Sequence, residues 1–130
     1  MKPFAYLALA LLLLACEGQT IVEHRVENAS SRTVRMLFHA DVFHGFQPDT
    51  VVLQPGTFTR VAWNDLRGGR PGYRRPAEGI DSVFVSVDGG GTLTRDLLHD
   101  DNWAVDSKGR RAPARWTHIC TFTFADGDIE

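Results

Sequence analysis

Residues 115 to 124 carry a strict alternation of side-chain types, and this pattern restricts the fold more than any other feature of the chain. Residues of one parity are aromatic, sulfur-bearing or imidazole side chains: Trp116, His118, Cys120, Phe122 and Phe124. The residues between them are Thr117, Ile119, Thr121 and Thr123. Successive side chains of a strand point to opposite faces of its sheet. The pattern predicts a long strand whose aromatic face is turned towards a core.

Other runs with strand composition recur at short spacing. They are predicted at residues 20–27, 33–43, 49–54, 57–63, 80–87 and 103–106. In the second run one side is apolar, through Val34, Met36, Phe38, Ala40 and Val42. Arg35, His39 and Asp41 fall on the opposite side. Alternation of this kind is typical of a half-buried strand.

Turn signals separate these runs and predict how they connect. Pro55-Gly56 indicates a hairpin between residues 49–54 and 57–63. Gly89-Gly90-Gly91 indicates another hairpin turn, after which residues 92–98 either pair back or become helical. A further turn is predicted at residues 107–109, before the final strand.

No run of ten or more residues has a convincing helical period, and the strands number about seven. Short strands at this spacing favour an antiparallel β-sandwich, immunoglobulin-like in type, over a parallel sheet. A small barrel is the alternative, because it has the same sequence appearance. We therefore predict an all-β domain over residues 20–130.

The first fifteen residues have the layout of an export signal. Lys2 supplies a positive start, residues 4–14 are apolar, and Ala15 is small. Eleven apolar residues are too few for a membrane-spanning helix, which needs about twenty. The segment is therefore expected to be a signal peptide over residues 1–15 that is removed after export.

The end of this segment, Leu13-Leu14-Ala15-Cys16, resembles the lipobox of bacterial lipoproteins. The resemblance implies a diacylglyceryl group on the sulfur of Cys16, cleavage before Cys16, and acylation of the new amino group. Residues 16–19 are then a lipidated start with a short tether. By the same resemblance Glu17, where a retention signal has Asp, points to the outer membrane. An envelope protein or a glycan is then the expected partner, beside the membrane itself.

A second resemblance is to small uncharacterised lipoproteins of Bacteroidetes-type bacteria. It rests on the polar turn at residues 28–31 and on residues 49–56, 81–85 and 121–124. This group has no known activity, so the resemblance implies no active site.

Removal of residues 1–15 leaves 13 Lys and Arg against 16 Asp and Glu, a formal charge of −3. The sequence shows no broad basic face, so nucleic acid is not an expected partner. Cys16 and Cys120 are the two cysteines, and lipidation of Cys16 leaves Cys120 without a partner in the chain.

Residues 64–79 have no strand or helix period and are expected to form a long loop. Loops of this length are often functional or disordered. Arginines beside aromatic rings suit anionic ligands, and the candidate binding residues are Trp63, Arg67, Arg70, Tyr73, Arg74 and Arg75. The alternative is a solvated loop whose arginines balance nearby acids.

Three other groups were candidates for chemistry. Cys120 and His118 share a strand face, but a buried free cysteine is the preferred interpretation over a nucleophile and base. His39, Asp41 and His44 could approach a zinc ion, with surface histidines preferred. Acidic residues at 100–102 and 126–130 resemble calcium ligands without the spacing of a calcium loop. We therefore expect no catalytic residue, no metal and no cofactor.

Taken together, these features predict a non-enzymatic binding or structural module held at the cell envelope by lipid. The alternative is a lipoprotein that binds a small anion or ion through residues 64–79.

Overall fold

Four long strands form the larger of two sheets. The computed structural model describes residues 17–47 and 49–130. In this sheet β1 (Gln19–Asn28) lies between β4 (Thr57–Arg67), which is antiparallel to it, and β7 (Ala114–Phe124), which is parallel to it. β6 (Trp103–Arg111) pairs antiparallel with β7. The strand order is therefore β4-β1-β7-β6.

Three shorter strands form the second sheet. β2 (Val34–Ala40) lies between β3 (Thr50–Leu53) and β5 (Ile80–Val87), and both pairings are antiparallel. In the described part of the chain the helical elements are 3-10 turns of three residues each. The prediction of an all-β sandwich is confirmed. It shares two packed sheets with immunoglobulin-like domains, with a strand order of its own.

The core lies between the two sheets and follows the predicted alternation. His118, Cys120, Phe122 and Phe124 of β7 are fully buried, which confirms the inward face of that strand. On β2 the buried residues are Val34, Met36 and Phe38. Apart from His118, these side chains belong to one continuous apolar cluster that holds the sheets together.

The predicted hairpin between residues 49–54 and 57–63 is wrong. The turn at Pro55-Gly56 exists, but β3 pairs with β2 and β4 pairs with β1. The carbonyl of Asn28 accepts the Gly56 N–H (2.8 Å), and the Asn28 amide donates to the Leu53 carbonyl (2.9 Å). These bonds hold the turn where the chain passes from one sheet to the other.

Two further connections differ from the sequence prediction. The Gly89-Gly91 turn leads into residues 92–98, which are neither helical nor paired with β5; Leu93 forms an isolated bridge with Ile129. Residues 107–109 continue β6, and the reversal before β7 falls at residues 112–113. Lys108 and Gly109 instead pair with Thr117 and Trp116.

The strand predicted at residues 33–43 ends earlier than expected. Asp41 accepts the Phe43 N–H (2.9 Å) and starts a 3-10 turn over Val42–His44. Val42 is therefore not a core residue but is 62% exposed. The hydrogen bond to the Asp41 side chain stabilises the turn, so the strand ends although the sequence alternation continues.

The two sheets differ in length, so the smaller sheet does not cover the whole inner face of the larger one. Strands of the larger sheet have 9 to 11 residues, whereas those of the smaller sheet have 4 to 8. The inner face near the start of β1 is covered instead by residues 68–79, which we call the cover segment.

Across residues 17–47 and 49–130 no helix is long and apolar enough to cross a membrane. The predicted signal peptide and Cys16 lie outside the described residues.

Candidate functional site: a histidine-lined cavity

The cover segment is bonded to the inner face of the larger sheet. Thr20, which is fully buried on β1, donates its hydroxyl to the Gly68 carbonyl (2.6 Å) and accepts the Arg70 N–H (2.8 Å). Residues 64–67, expected in the loop, extend β4 instead. The cover segment is therefore a packed layer over polar side chains of the sheet.

His118 is held by the main chain of this segment. Its Nε2 lies 2.6 Å from the Arg70 carbonyl oxygen, and its Nδ1 lies 2.7 Å from the Ser107 hydroxyl. A carbonyl can only accept, so Nε2 carries the proton and Nδ1 accepts from Ser107. Both ring nitrogens of His118 are thus occupied by the protein itself.

His24 is bonded on one side only. Its Nε2 lies 2.8 Å from the Pro76 carbonyl oxygen and must carry the proton, which leaves Nδ1 as an acceptor. That Nδ1 is buried and has no hydrogen-bond partner in the protein. Burial lowers the pKa of His24 to about 4, against the opposing hydrogen bond to Pro76. The imidazole is therefore neutral at pH 7 and offers a bare acceptor.

Tyr73 fills the space between the two histidines. Its ring stacks on His118, with centroids 5.8 Å apart and planes at 18°, and meets His24 edge-on at 6.2 Å. Burial is the main cause that raises the pKa of Tyr73 to about 12. The ring anchors the cover segment by packing, in a neutral state.

A cavity of about 160 Å³ opens beside His24. Its apolar wall is formed by Val22, Phe43, Leu66 and the Tyr73 ring. Its polar wall is formed by His24, His44, Asn64, Arg70 and Glu78. Wider depressions elsewhere, such as the one between β5 and residues 93–98, are more open and have no buried unpartnered side chain.

Most of the polar wall can accept hydrogen bonds. The Asn64 amide nitrogen is engaged with the Phe43 carbonyl (2.9 Å), so its carbonyl oxygen is the free end. His44 also has a buried Nδ1 without a hydrogen-bond partner, although the Asp41 carboxylate approaches it at 3.5 Å. Gly79 backs this ring, and a Cβ at that position would lie 2.5 Å from it. Arg70 is the one arginine or lysine that lines the cavity.

Only two of the predicted binding residues line this cavity, Arg70 and Tyr73. Arg67 and Arg74 are exposed, and Arg75 pairs with Glu78 at 3.4 Å. Trp63 points outward from β4 and is 45% exposed, beside a separate surface depression. The arginines therefore do not surround Tyr73, because its ring turns inward.

Cys120 and His118 share the inner face of β7, as predicted. Burial raises the pKa of the Cys120 thiol to about 12, so a thiolate is scarce at neutral pH. Neither residue lines the cavity. This geometry favours the buried-cysteine interpretation.

The residues considered as metal ligands make packing contacts and hydrogen bonds within the protein. His39 lies on the outer face of β2, edge-on to Phe84 at 5.4 Å, and Asp41 caps the 3-10 turn. Asp100 and Asp126 accept main-chain N–H groups of Ala77 and Ser31. Within the described residues, no group of three His, Cys, Asp or Glu side chains is arranged to hold a metal ion.

His24 was not among the site residues predicted from the sequence. Thr20, Val22, His24, Val26 and Asn28 occupy alternate positions on β1 and are all buried. The polar residues of this set share a strand face with Val22 and Val26, and this pattern indicates that the face packs against polar main-chain groups. What the pattern could not show is that the covering atoms come from residues 68–79, about 50 residues away.

Comparisons with known proteins add no relationship: no family model, no curated protein and no solved structure matches this chain.

Proposed function

We propose that this chain is a lipid-anchored domain of the cell envelope that binds a small, hydroxyl-rich ligand in the His24 cavity. The observation that carries the ligand site is the Nδ1 of His24, a buried acceptor without a partner in the protein. Leaving a buried polar group unsatisfied costs about 1–3 kcal/mol. A ligand that donates a hydrogen bond there recovers this cost.

The chemistry of the wall favours a neutral polyol such as a saccharide. His24, Asn64 and Glu78 accept from hydroxyl groups, while Arg70 donates to them. At the opening, Phe43 is 84% exposed and presents a ring face on which the apolar side of a sugar ring can pack.

The size of the cavity sets the size of the ligand. An engineered cavity of about 150 Å³ accepts benzene, so about 160 Å³ admits one ring or one sugar residue. A longer glycan would enter by one terminal residue and continue over Phe43 and Val42, which are both exposed.

A non-enzymatic role agrees with the neighbouring groups. Both nitrogens of His118 are bonded within the protein, and the raised pKa of Cys120 removes a ready nucleophile. The groups that remain at the cavity are hydrogen-bond acceptors, Arg70 as a donor and the Phe43 ring, which are suited to recognition.

The ligand proposal is tested by titrating the protein with N-acetylglucosamine while the imidazole resonances are followed by NMR. We expect saturable shifts at His24 and His44. His24→Phe retains a ring and removes the acceptor, so binding should weaken about tenfold. His99→Gln, at an exposed histidine outside the cavity wall, is the matched control and should bind normally. Equal affinity of His24→Phe and the unaltered protein would refute this site.

The anchor is tested separately by Cys16→Ser. If Cys16 carries the lipid, this variant is released from the membrane fraction, whereas the unaltered protein stays with it until detergent is added. Retention of the variant in membranes after a salt wash would contradict the lipoprotein proposal.

A small anion remains the second candidate ligand, through the arginines of residues 64–79. The Glu78 carboxylate and the bare acceptors make the cavity itself unfavourable for an anion. An anionic group would instead meet the exposed Arg67, Arg74 and Arg75 from outside. Salt-dependent binding of inorganic phosphate, lost in Arg74→Ala/Arg75→Ala, would support this candidate.

A further inference from the structure

Arginines that are far apart in the sequence meet at one end of the larger sheet. Gln19, the first residue of β1, pairs with Arg67 on one side and Arg115 on the other. Arg115 in turn pairs with Arg110. One row across the sheet therefore reads Arg67, Gln19, Arg115, Arg110, and its three arginines are exposed.

The cover segment and the β6-β7 turn add further cations to this end. We call residues 17–20, 65–79 and 106–116 the basic end. It holds eight cationic residues, which are Arg67, Arg70, Arg74, Arg75, Lys108, Arg110, Arg111 and Arg115. Its four acidic residues are Glu17, Asp65, Glu78 and Asp106. Of the seven arginines, Arg75 is the one with an ion-pair partner in the described chain.

The opposite end of the sandwich is acidic. Asn28 and Phe124 form the last row of the β1-β7 pairing, and Ser31 donates to Asp126 beside it. Residues 27–32, 88–92 and 123–130 form this acidic end and hold Glu27, Asp88, Asp126, Asp128 and Glu130. Arg32 is the one cationic residue within these ranges, and Arg35 from outside them pairs with Asp88. The small net charge therefore conceals a separation of charge, and the expectation of no broad basic face does not hold at the basic end.

The distance between these ends makes the separation effective. β1 has 10 residues, and at about 3.3 Å per residue it spans roughly 33 Å. This is about four Debye lengths at physiological salt, where one length is roughly 8 Å. A charged surface near one end therefore interacts mainly with the charges of that end, because salt screens those of the other end.

We propose that the basic end docks on the anionic lipid surface in which the Cys16 anchor is held. The proposal rests on the lipid anchor of the proposed function. Glu17 and Gly18 alone separate Cys16 from β1, and the Gly18 carbonyl accepts the Gly68 N–H (3.3 Å). The tether therefore leaves the domain at its basic end and brings the exposed arginines to the headgroups.

Docking fixes the orientation of the domain on the membrane. Each arginine near an anionic lipid surface raises the ratio of docked to undocked protein about fivefold. The acidic end is repelled by the same surface and points away. The acyl chains hold the protein at the membrane, and the arginines set the orientation of the domain on it.

The experiment uses the mature lipidated protein in vesicles, with a fluorophore at an introduced cysteine. Ala112→Cys lies in the exposed β6-β7 turn of the basic end, and Gly127→Cys lies at the acidic end with open space around its Cβ. Cys120 is fully buried and does not compete for the label. Energy transfer to a headgroup dye is compared in vesicles of phosphatidylcholine with and without phosphatidylglycerol.

We expect the ratio of transfer from position 112 to transfer from position 127 to be higher in phosphatidylglycerol vesicles at low salt than in phosphatidylcholine vesicles. Replacement of Arg110, Arg111 and Arg115 by Gln should lower the docked-to-undocked ratio roughly a hundredfold. Transfer that ignores phosphatidylglycerol, salt and these substitutions overturns the docking proposal. Displacement by polygalacturonate at equal charge would assign the end to an acidic polysaccharide and also overturn it. If lipidation fails, the protein does not sediment with phosphatidylcholine vesicles, and this separates failure of the anchor from failure of docking.

Discussion

Two buried histidines occupy neighbouring strands of the same sheet but meet different surroundings. Val22 of β1 pairs with His118 of β7, and His24 of β1 pairs with Cys120 of β7 two residues further along. His118 is bonded at both nitrogens, whereas His24 keeps one nitrogen without a partner. At the residue scale the proposed ligand site depends on this difference rather than on the presence of histidine.

The lowered pKa of His24 predicts acid sensitivity. Because its folded pKa is about 4 and its unfolded value is 6.5, the unfolded chain binds the proton more readily between these pH values. The free energy of unfolding should therefore fall by roughly 3 kcal/mol from pH 6.5 to pH 4 and stay level above pH 6.5. Urea unfolding at a series of pH values measures this change.

Two variants separate His24 from other titrating groups. His24→Phe should lose that part of the pH dependence, whatever its stability at neutral pH. His99→Gln, at an exposed position, should keep it. Identical pH profiles for His24→Phe and the unaltered protein would assign acid sensitivity to other groups.

The cover segment shows why an element without regular structure can be as well packed as a strand. Its main-chain carbonyls serve Thr20, His118 and His24, and its Tyr73 ring fills the gap between the histidines. Buried polar side chains need partners, and an irregular main chain has carbonyls to offer because they are not used in a ladder. At the element scale, loop and sheet therefore form one unit.

Two glycines of this segment provide a matched test. Gly79 has φ +88°, and a Cβ there would crowd the His44 ring, whereas Gly72 has open space around it and no such φ. Gly79→Ala should lower the free energy of unfolding by about 1–3 kcal/mol and shift the His44 resonances. Gly72→Ala should change stability by less than about 1 kcal/mol. Thermal unfolding of both variants measures the difference, and equal effects would contradict the crowding argument.

The difference in strand length between the two sheets determines the arrangement of the whole molecule. β1 is paired along both edges, over ten residues on each side, and so connects all parts of the larger sheet. The short smaller sheet covers the apolar half of it, and the cover segment covers the polar half. This division creates the cavity at one end of the apolar core.

Hydrogen exchange should follow this organisation. Amides of β1 and β7, which are paired on both sides, are expected to exchange most slowly and near the rate set by global unfolding. Amides of β3, a four-residue edge strand, should exchange fastest among the strands. Native-state exchange followed by NMR measures these rates. Protection of β3 equal to that of β1 would refute the proposed hierarchy.

Much of the fold could be predicted because alternation acts locally. Side chains two apart on one strand share a face, so Phe122, Phe124, Met36 and Phe38 could be assigned to the core without knowing their neighbours. Pairing was harder to predict. The turn at Pro55-Gly56 has the same local chemistry whether it closes a hairpin or crosses between sheets, and bonds from Asn28 decide between them.

The candidate site was predictable only in part for the same reason. Composition indicated residues 64–79, and two of the chosen residues, Arg70 and Tyr73, do line the cavity. His24 and His44 come from segments 20 residues apart, and nothing in their local sequence shows that they meet.

The sequence by itself determined the class of fold, the inward faces of the main strands and the expectation of a lipid anchor at Cys16, because each depends on neighbouring residues. Tertiary structure alone decided the strand order, the bare acceptor on His24 and the charge separation between the two ends. Those features arise where distant segments meet, as in the row from Arg67 through Gln19 to Arg115 and Arg110. Hydrogen bonds and burial act between such segments through space, and their energies therefore depend on positions that no local pattern encodes.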